Sequence, residues 1–173
     1  MCEEAFEHDP LLISYLKHQT KEMCEKAIEA NVDSYNDLKF KTEKINMAYL
    51  KKYPSHVKQM SSISEDIKKM LFEMDKKLLR YFEDQSEDMV KQLLENDPLQ
   101  LKYMNFRTRE IENECFLKNM NVFPHVIEKS KEMTMKALEH NPMFLRFVEN
   151  QTKEQIDFAL SKDSRCIAFL KNQ

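Results

Sequence analysis

Side chains that bind metals or attack bonds come first. The chain carries four cysteines, Cys2, Cys24, Cys115 and Cys166, and five histidines, His8, His18, His56, His125 and His140. No C-x-x-C pair occurs, and no histidine stands at ligand spacing from another histidine or a cysteine. A zinc site is therefore not expected. The cysteines read as small buried apolar thiols rather than a disulfide framework. The carboxylates Glu7, Glu29, Glu73, Glu95 and Glu139 recur in one register and read as a solvated helix face. No nucleophile stands beside a base. The expectation is a non-enzyme with no catalytic, metal or cofactor-binding residue and no cofactor.

The most suggestive chemistry is a recurring basic–aromatic pair. Arg80-Tyr81, Lys102-Tyr103 and Arg146-Phe147 share one register, and Lys58 falls in the basic column. The aromatic column begins at Tyr15 and continues through His125 and Phe169, while Pro124 interrupts the basic one. On stacked repeats such a column becomes a row of neighbours. A row of this kind fits an acidic helix, an acidic tail or stacked bases. Lys58, Arg80, Tyr81, Lys102, Tyr103, Arg146 and Phe147 are accordingly the candidate partner-binding row. The competing reading is that the aromatics wedge between repeats while the cations solvate the surface.

Composition narrows what can position such a row. The chain has 173 residues and no glycine, which excludes a P-loop or a dinucleotide fingerprint. Lys+Arg is 27 against Asp+Glu 30, for a formal charge of -3, so a basic nucleic-acid protein is disfavoured. No apolar run reaches the ~18 residues of a membrane helix. The acidic opening Met1-Cys-Glu-Glu-Ala-Phe-Glu lacks the basic and apolar regions of a signal peptide. Neither a membrane-spanning nor a secreted protein is expected.

The register is a tandem repeat. Thr20, Thr42, Ser64, Ser86, Thr108, Ser130 and Thr152 follow one another at 22-residue steps. Eight units of 22 would make 176 residues, so the chain lacks only the first three positions. Three columns are apolar in every unit: Phe6 to Leu160, Ile13 to Ile167 and Leu16 to Leu170. The column Met23 to Gln155 ends on its one polar member, beside which Ile156 is expected to compensate. Ser/Thr is a helix N-cap whose oxygen accepts from first-turn N–H groups. Apolar residues at cap +3, +7 and +8 then mark one helical face. An Asx column runs through Asp9, Asn31, Asp75, Asp97, Asn119, Asn141 and Asp163, with Tyr53 as the exception. It reads as a second N-cap, often followed by a proline suited to the first helical position. Each unit thus predicts two short helices, in the second unit over 21–30 and 32–40. In unit six Pro124 predicts a late start, capped by Asn121. Helices this short are unstable alone in water. The predicted fold is all-α: an α-solenoid of eight helix-pair repeats forming a single domain over 1–173, with units starting near 1, 20, 42, 64, 86, 108, 130 and 152. A leucine-rich repeat would need an L-x-L strand and β-branched enrichment, which are lacking.

The segment Thr20-Lys-Glu-Met-Cys-Glu-Lys-Ala-Ile-Glu-Ala-Asn31 and the junction Asn150-Gln-Thr-Lys-Glu154 carry a resemblance. They resemble a short tandem repeat of unknown function, abundant in proteins of giant DNA viruses of the mimivirus type. Its unit looks like T-x-E-[IM]-C-x-x-A-[VI]-x-x-N-[GP]-x-x-[IL]-x-[YF]-[VI]-x-N-Q. The likeness covers essentially the whole chain. It departs where Pro, Val, Lys, Met or Ser replaces the family's frequent glycine, at Tyr53 and at Pro124. The resemblance implies viral origin and an α-helical repeat, and it carries over no catalytic or binding residue.

Together these readings predict a non-enzymatic protein-interaction module of viral origin, acting on a host or viral protein in the host cytoplasm or the virion. The alternatives are a structural or assembly component of a virus particle and, less favoured, a nucleic-acid-binding repeat. Met1 supplies no N-cap, and the last unit keeps Ile167, Phe169 and Leu170. At least one repeat end is therefore also expected to be covered, by self-association or by a partner.

Overall fold

The computed structural model of the chain describes residues 5–171 apart from Glu7, so Met1, Cys2 and Glu7 of the sequence reading lie outside the described residues. The described residues are helical throughout, with short extended links. Seven α-helices of ten residues alternate with 3₁₀ helices of six residues. The chain forms two compact units, Met1–Glu83 and Asp84–Gln173.

In the first unit the α-helices are Lys21–Ala30, Glu43–Lys52 and Glu65–Met74. They alternate with 3₁₀ helices Pro10–Tyr15, Val32–Asp37, Pro54–Gln59 and Lys76–Tyr81. In the second unit the α-helices are Glu87–Asn96, Arg109–Lys118, Lys131–His140 and Lys153–Lys162. Each is followed by a 3₁₀ helix: Pro98–Tyr103, Met120–His125, Pro142–Phe147 and Ser164–Phe169. Within each unit, contacts run mainly between an element and its neighbours in the same or the adjacent repeat, as in a solenoid.

Local hydrogen bonds set this alternation. Each of these seven ten-residue α-helices opens on the predicted Ser or Thr, whose side-chain oxygen accepts from the N–H three residues on, as Thr20 does from Met23. The Asx residue closes one helix and opens the next. Asn31 is extended (φ -152°, ψ 116°), and its own N–H donates to the Ala27 carbonyl. Its side chain then accepts from the Asp33 N–H at 2.9 Å, and its carbonyl from the Ser34 N–H at 3.1 Å. No described residue has a positive φ, so the chain turns at these extended caps and glycine is dispensable.

Three expectations are revised. The second helix is a six-residue 3₁₀ helix, Val32–Asp37 rather than 32–40. Its buried residues are Ser34 and Tyr35. Leu38 is already extended (φ -81°, ψ 128°) and ends the element. In unit six the helix starts on time at Met120, with Asn119 as its cap and Pro124 inside it. Asn119 accepts from the Asn121 N–H at 3.0 Å and from the Val122 N–H at 3.1 Å. A proline so near the end of a single 3₁₀ turn removes only one donor. Gln155 is itself buried and needs no compensation from Ile156. Its side chain accepts from the Thr152 N–H at 2.9 Å while its own N–H donates to Thr152 Oγ1 at 3.3 Å, a reciprocal capping box.

The three apolar columns form the core of each unit, including Phe6, Ile13, Ile28 and Leu50 in the first and Leu101, Phe123, Leu138 and Leu145 in the second. They fail only in the last repeat and, in part, at Met60. Leu160 is half-buried, while Ile167 and Leu170 are 66% and 39% exposed.

Candidate functional site

The basic–aromatic pairs fall on the final two positions of the 3₁₀ helices. That placement follows from the Asx cap, which fixes where each six-residue helix ends. In the first unit Arg80 and Tyr81 close Lys76–Tyr81, and Lys58 is exposed near the end of Pro54–Gln59. In the second unit Lys102 and Tyr103 close Pro98–Tyr103, and Arg146 and Phe147 close Pro142–Phe147. Tyr81 and Tyr103 are 41% and 39% exposed, and Phe147 is half-buried. Each ring therefore keeps one part in the repeat and offers the rest to solvent.

Each cation rests on the ring beside it. The Arg80 guanidinium lies 5.9 Å from the Tyr81 ring centre, the Lys102 ammonium 4.7 Å from that of Tyr103, and the Arg146 guanidinium 4.5 Å from that of Phe147. Arg146 also reaches Phe169 of the following repeat at 6.0 Å. Such contacts contribute about 0.5–1 kcal/mol at exposed sites. At the interruption of the second unit's row, partial burial and the cations Lys102, Arg107 and Lys129 hold His125 below the ordinary imidazole range. This neighbourhood favours a neutral imidazole.

A second set of residues, missed by the sequence reading, stitches successive repeats together. It occupies the position before the N-cap in three repeats, at Gln19, Gln85 and Gln151. Gln19 donates from Nε2 to the Ile13 and Asp37 carbonyls, both at 3.0 Å, while its Oε1 accepts from the Lys39 N–H at 2.8 Å and from Cys24 Sγ at 3.4 Å. Gln151 repeats this with the Leu145 carbonyl at 3.1 Å, the Phe169 carbonyl at 2.8 Å and the Lys171 N–H at 3.1 Å. Gln85 reaches the Tyr103 carbonyl at 3.4 Å and the Asn105 N–H at 2.7 Å. One carboxamide thus satisfies backbone groups on two consecutive repeats. The signal was the recurrence of Gln at 19, 85 and 151, three repeats apart each time.

At Arg107 two side chains divide the same task. The guanidinium donates to the His125 carbonyl at 2.9 Å, and Glu112, only 4% exposed, accepts from the Ile127 N–H at 3.1 and 3.3 Å. The two charges stand 3.7 Å apart. Lys41 and Lys129 hold this position in two further repeats, each beside an open cleft, of about 370 Å³ and 350 Å³ respectively, and Ile63 holds it before Ser64 with an apolar side chain.

The other predicted features fall as follows. Cys24, Cys115 and Cys166 are free thiols and buried. Burial pushes the Cys115 thiol up to about 11. Glu29, Glu73, Glu95 and Glu139 are exposed. Among the described residues no group of three or more His, Cys, Asp or Glu is placed to hold a metal ion, and no helix is long and apolar enough to cross a membrane.

The protein is thus an α-helical tandem-repeat protein, built from α- and 3₁₀-helix pairs recurring every 22 residues. Comparison with protein families, curated proteins and solved structures returns no match.

Proposed function

We propose that the chain is a non-enzymatic interaction module that presents the ends of its 3₁₀ helices to an acidic segment of a protein partner. The observation that carries this reading is the recurrence of a partly exposed ring with a cation upon it, at Arg80-Tyr81 and, in the other unit, at Lys102-Tyr103 and Arg146-Phe147. Half-exposed aromatics are efficient anchors, because contact area is gained with few side-chain torsions to immobilise. The cations supply steering and charge complementarity. The resemblance of the repeat supports a viral origin, and with it a host or viral partner met in the host cytoplasm or the virion.

The test is a comparison between the native chain and the variant Arg80→Glu/Lys102→Glu/Arg146→Glu. Proteins captured from infected cells are identified by mass spectrometry, and each is then measured as a purified pair. Exposed charges contribute little to stability, so helicity and melting should hardly change while partner binding is lost. Tyr103→Ala, which removes a half-buried ring, should lower stability by only about 1–2 kcal/mol and weaken the same partner. Undiminished binding by the triple variant would return the row to a purely structural role.

A second reading, assembly of copies through repeat ends, draws on the exposure of the core-column residues Ile167 and Leu170. Sedimentation over rising concentration tests it: a concentration-independent monomer would discard it.

A further inference from the structure

At the positions before the N-caps, two ways of meeting the same backbone groups occur. Glutamine does it with one carboxamide, taking the carbonyl 18 residues on and the N–H 20 residues on, as Gln19 does with Asp37 and Lys39. Arg107 keeps the carbonyl, at His125, and leaves the N–H, at Ile127, to the carboxylate of Glu112. A cation before the cap thus works together with a carboxylate on the second N–H.

The Lys41 seam has the cation but not the carboxylate. The counterpart of Glu112 is Asn46, whose Oδ1 already accepts from the Tyr35 hydroxyl at 2.8 Å. The counterparts of His125 and Ile127 are Gln59 and Ser61, and both line the cleft of about 370 Å³ together with Lys41, His56 and Ser62. Among the described residues no protein group is placed on the Ser61 N–H. The cleft is lined by no Asp or Glu. Lys41 is exposed, and its ammonium lies 4.2 Å over the Tyr35 ring instead of against an acid. Tyr35 stacks on Tyr49 with ring centres 3.8 Å apart, and the Tyr49 hydroxyl meets His56 Nδ1 at 2.6 Å, which gives the cleft a fixed aromatic wall.

We propose that this cleft is a carboxylate-binding site that takes a glutamate or aspartate side chain from a partner protein. The carboxylate accepts from the Ser61 N–H and pairs with the Lys41 ammonium, as Glu112 does with Ile127 and Arg107. Both contacts are charge-assisted, which favours a carboxylate over a carboxamide. Lys58 and Gln59 hold the row's register in this repeat, so the site lies at the row's own position there, but it uses none of the cation–ring pairs Arg80-Tyr81, Lys102-Tyr103 and Arg146-Phe147.

The test follows the Ser61 amide by ¹⁵N NMR while the full chain is titrated with acetyl-Ala-Glu-Ala-amide, and in parallel with acetyl-Ala-Gln-Ala-amide. The glutamate peptide should move the Ser61 amide proton downfield and saturate. The glutamine peptide should bind roughly ten-fold more weakly. Two variants fill the site from within: Lys41→Gln restores the carboxamide clamp, and Asn46→Glu restores the internal carboxylate. In each the Ser61 amide should shift before any peptide is added and then cease to respond. Arg80→Glu should leave the titration unchanged, which separates this site from those pairs. An absent or non-saturating Ser61 response, equal responses to the two peptides, or a response that persists in either filled variant would overturn the assignment.

Discussion

Removing the Gln19 side chain should be among the most costly polar substitutions in the first unit. Gln19 is 8% exposed and makes four hydrogen bonds, to Ile13, Asp37, Lys39 and Cys24. A neutral hydrogen bond contributes about 1 kcal/mol net, and a thiol donor less, so their sum is about 3 kcal/mol. The Asp37 and Lys39 groups are only part-buried, and water reaching them recovers some of this. Gln19→Ala should therefore lose about 2–3 kcal/mol. With a urea slope of about 2 kcal/mol per molar, the midpoint followed by circular dichroism should fall by about 1 M. Amide exchange at Lys39 should quicken, because its acceptor on Gln19 is gone. Gln19→Glu keeps that acceptor but aims a carboxylate at two carbonyls, so it should be less stable near neutral pH than in mild acid. A loss below about 0.5 kcal/mol in Gln19→Ala, within the range of ordinary surface substitutions, would refute the clamp. Unchanged exchange at Lys39 would do the same.

Two further outcomes are expected. Glu112→Ala leaves Arg107 without its counter-charge and the Ile127 N–H without its acceptor and should cost about 3 kcal/mol, whereas Glu112→Gln keeps an oxygen in place and should lose less than half of that in urea titrations; equal losses would contradict the pairing. Burial holds the Cys115 thiol near 11 in the folded chain, above its value of 9.0 in water. The unfolded chain therefore ionises first, and this contribution to stability is complete below pH 9 and declines as pH rises toward about 11, by about 3 kcal/mol in all. Cys115→Ala should flatten that decline in melting temperature, and an unchanged decline would assign it elsewhere.

The features legible from the residues alone share one physical trait: they are local. A Ser or Thr cap bonds to an N–H three residues away, and an Asx cap to one two residues away. Those contacts recur with the residue type, at every Ser or Thr cap and at every Asx cap but Asp97, so the 22-residue period, the α-helix over Lys21–Ala30 and the buried columns could be read directly. The placement of the basic–aromatic pairs at element ends follows from the same caps.

What the tertiary structure alone decided depends on groups brought together by stacking. Spacing of three between Tyr35 and Leu38 suits both kinds of helix, and only the surrounding packing fixes the tighter one over Val32–Asp37. Pro124 is a helix breaker by propensity, yet it sits inside Met120–His125 because one short turn between fixed neighbours has little to lose. Gln155 is polar by type and buried by its reciprocal bond with Thr152. The clamp at Gln19 joins backbone groups 18 and 20 residues ahead, a separation at which no propensity acts. Its substitutes at Lys41 and Arg107 acquire meaning only when the next repeat lies against them. Local bonding fixes the element boundaries of each repeat, while the polar chemistry between repeats exists only once a neighbour supplies the other half.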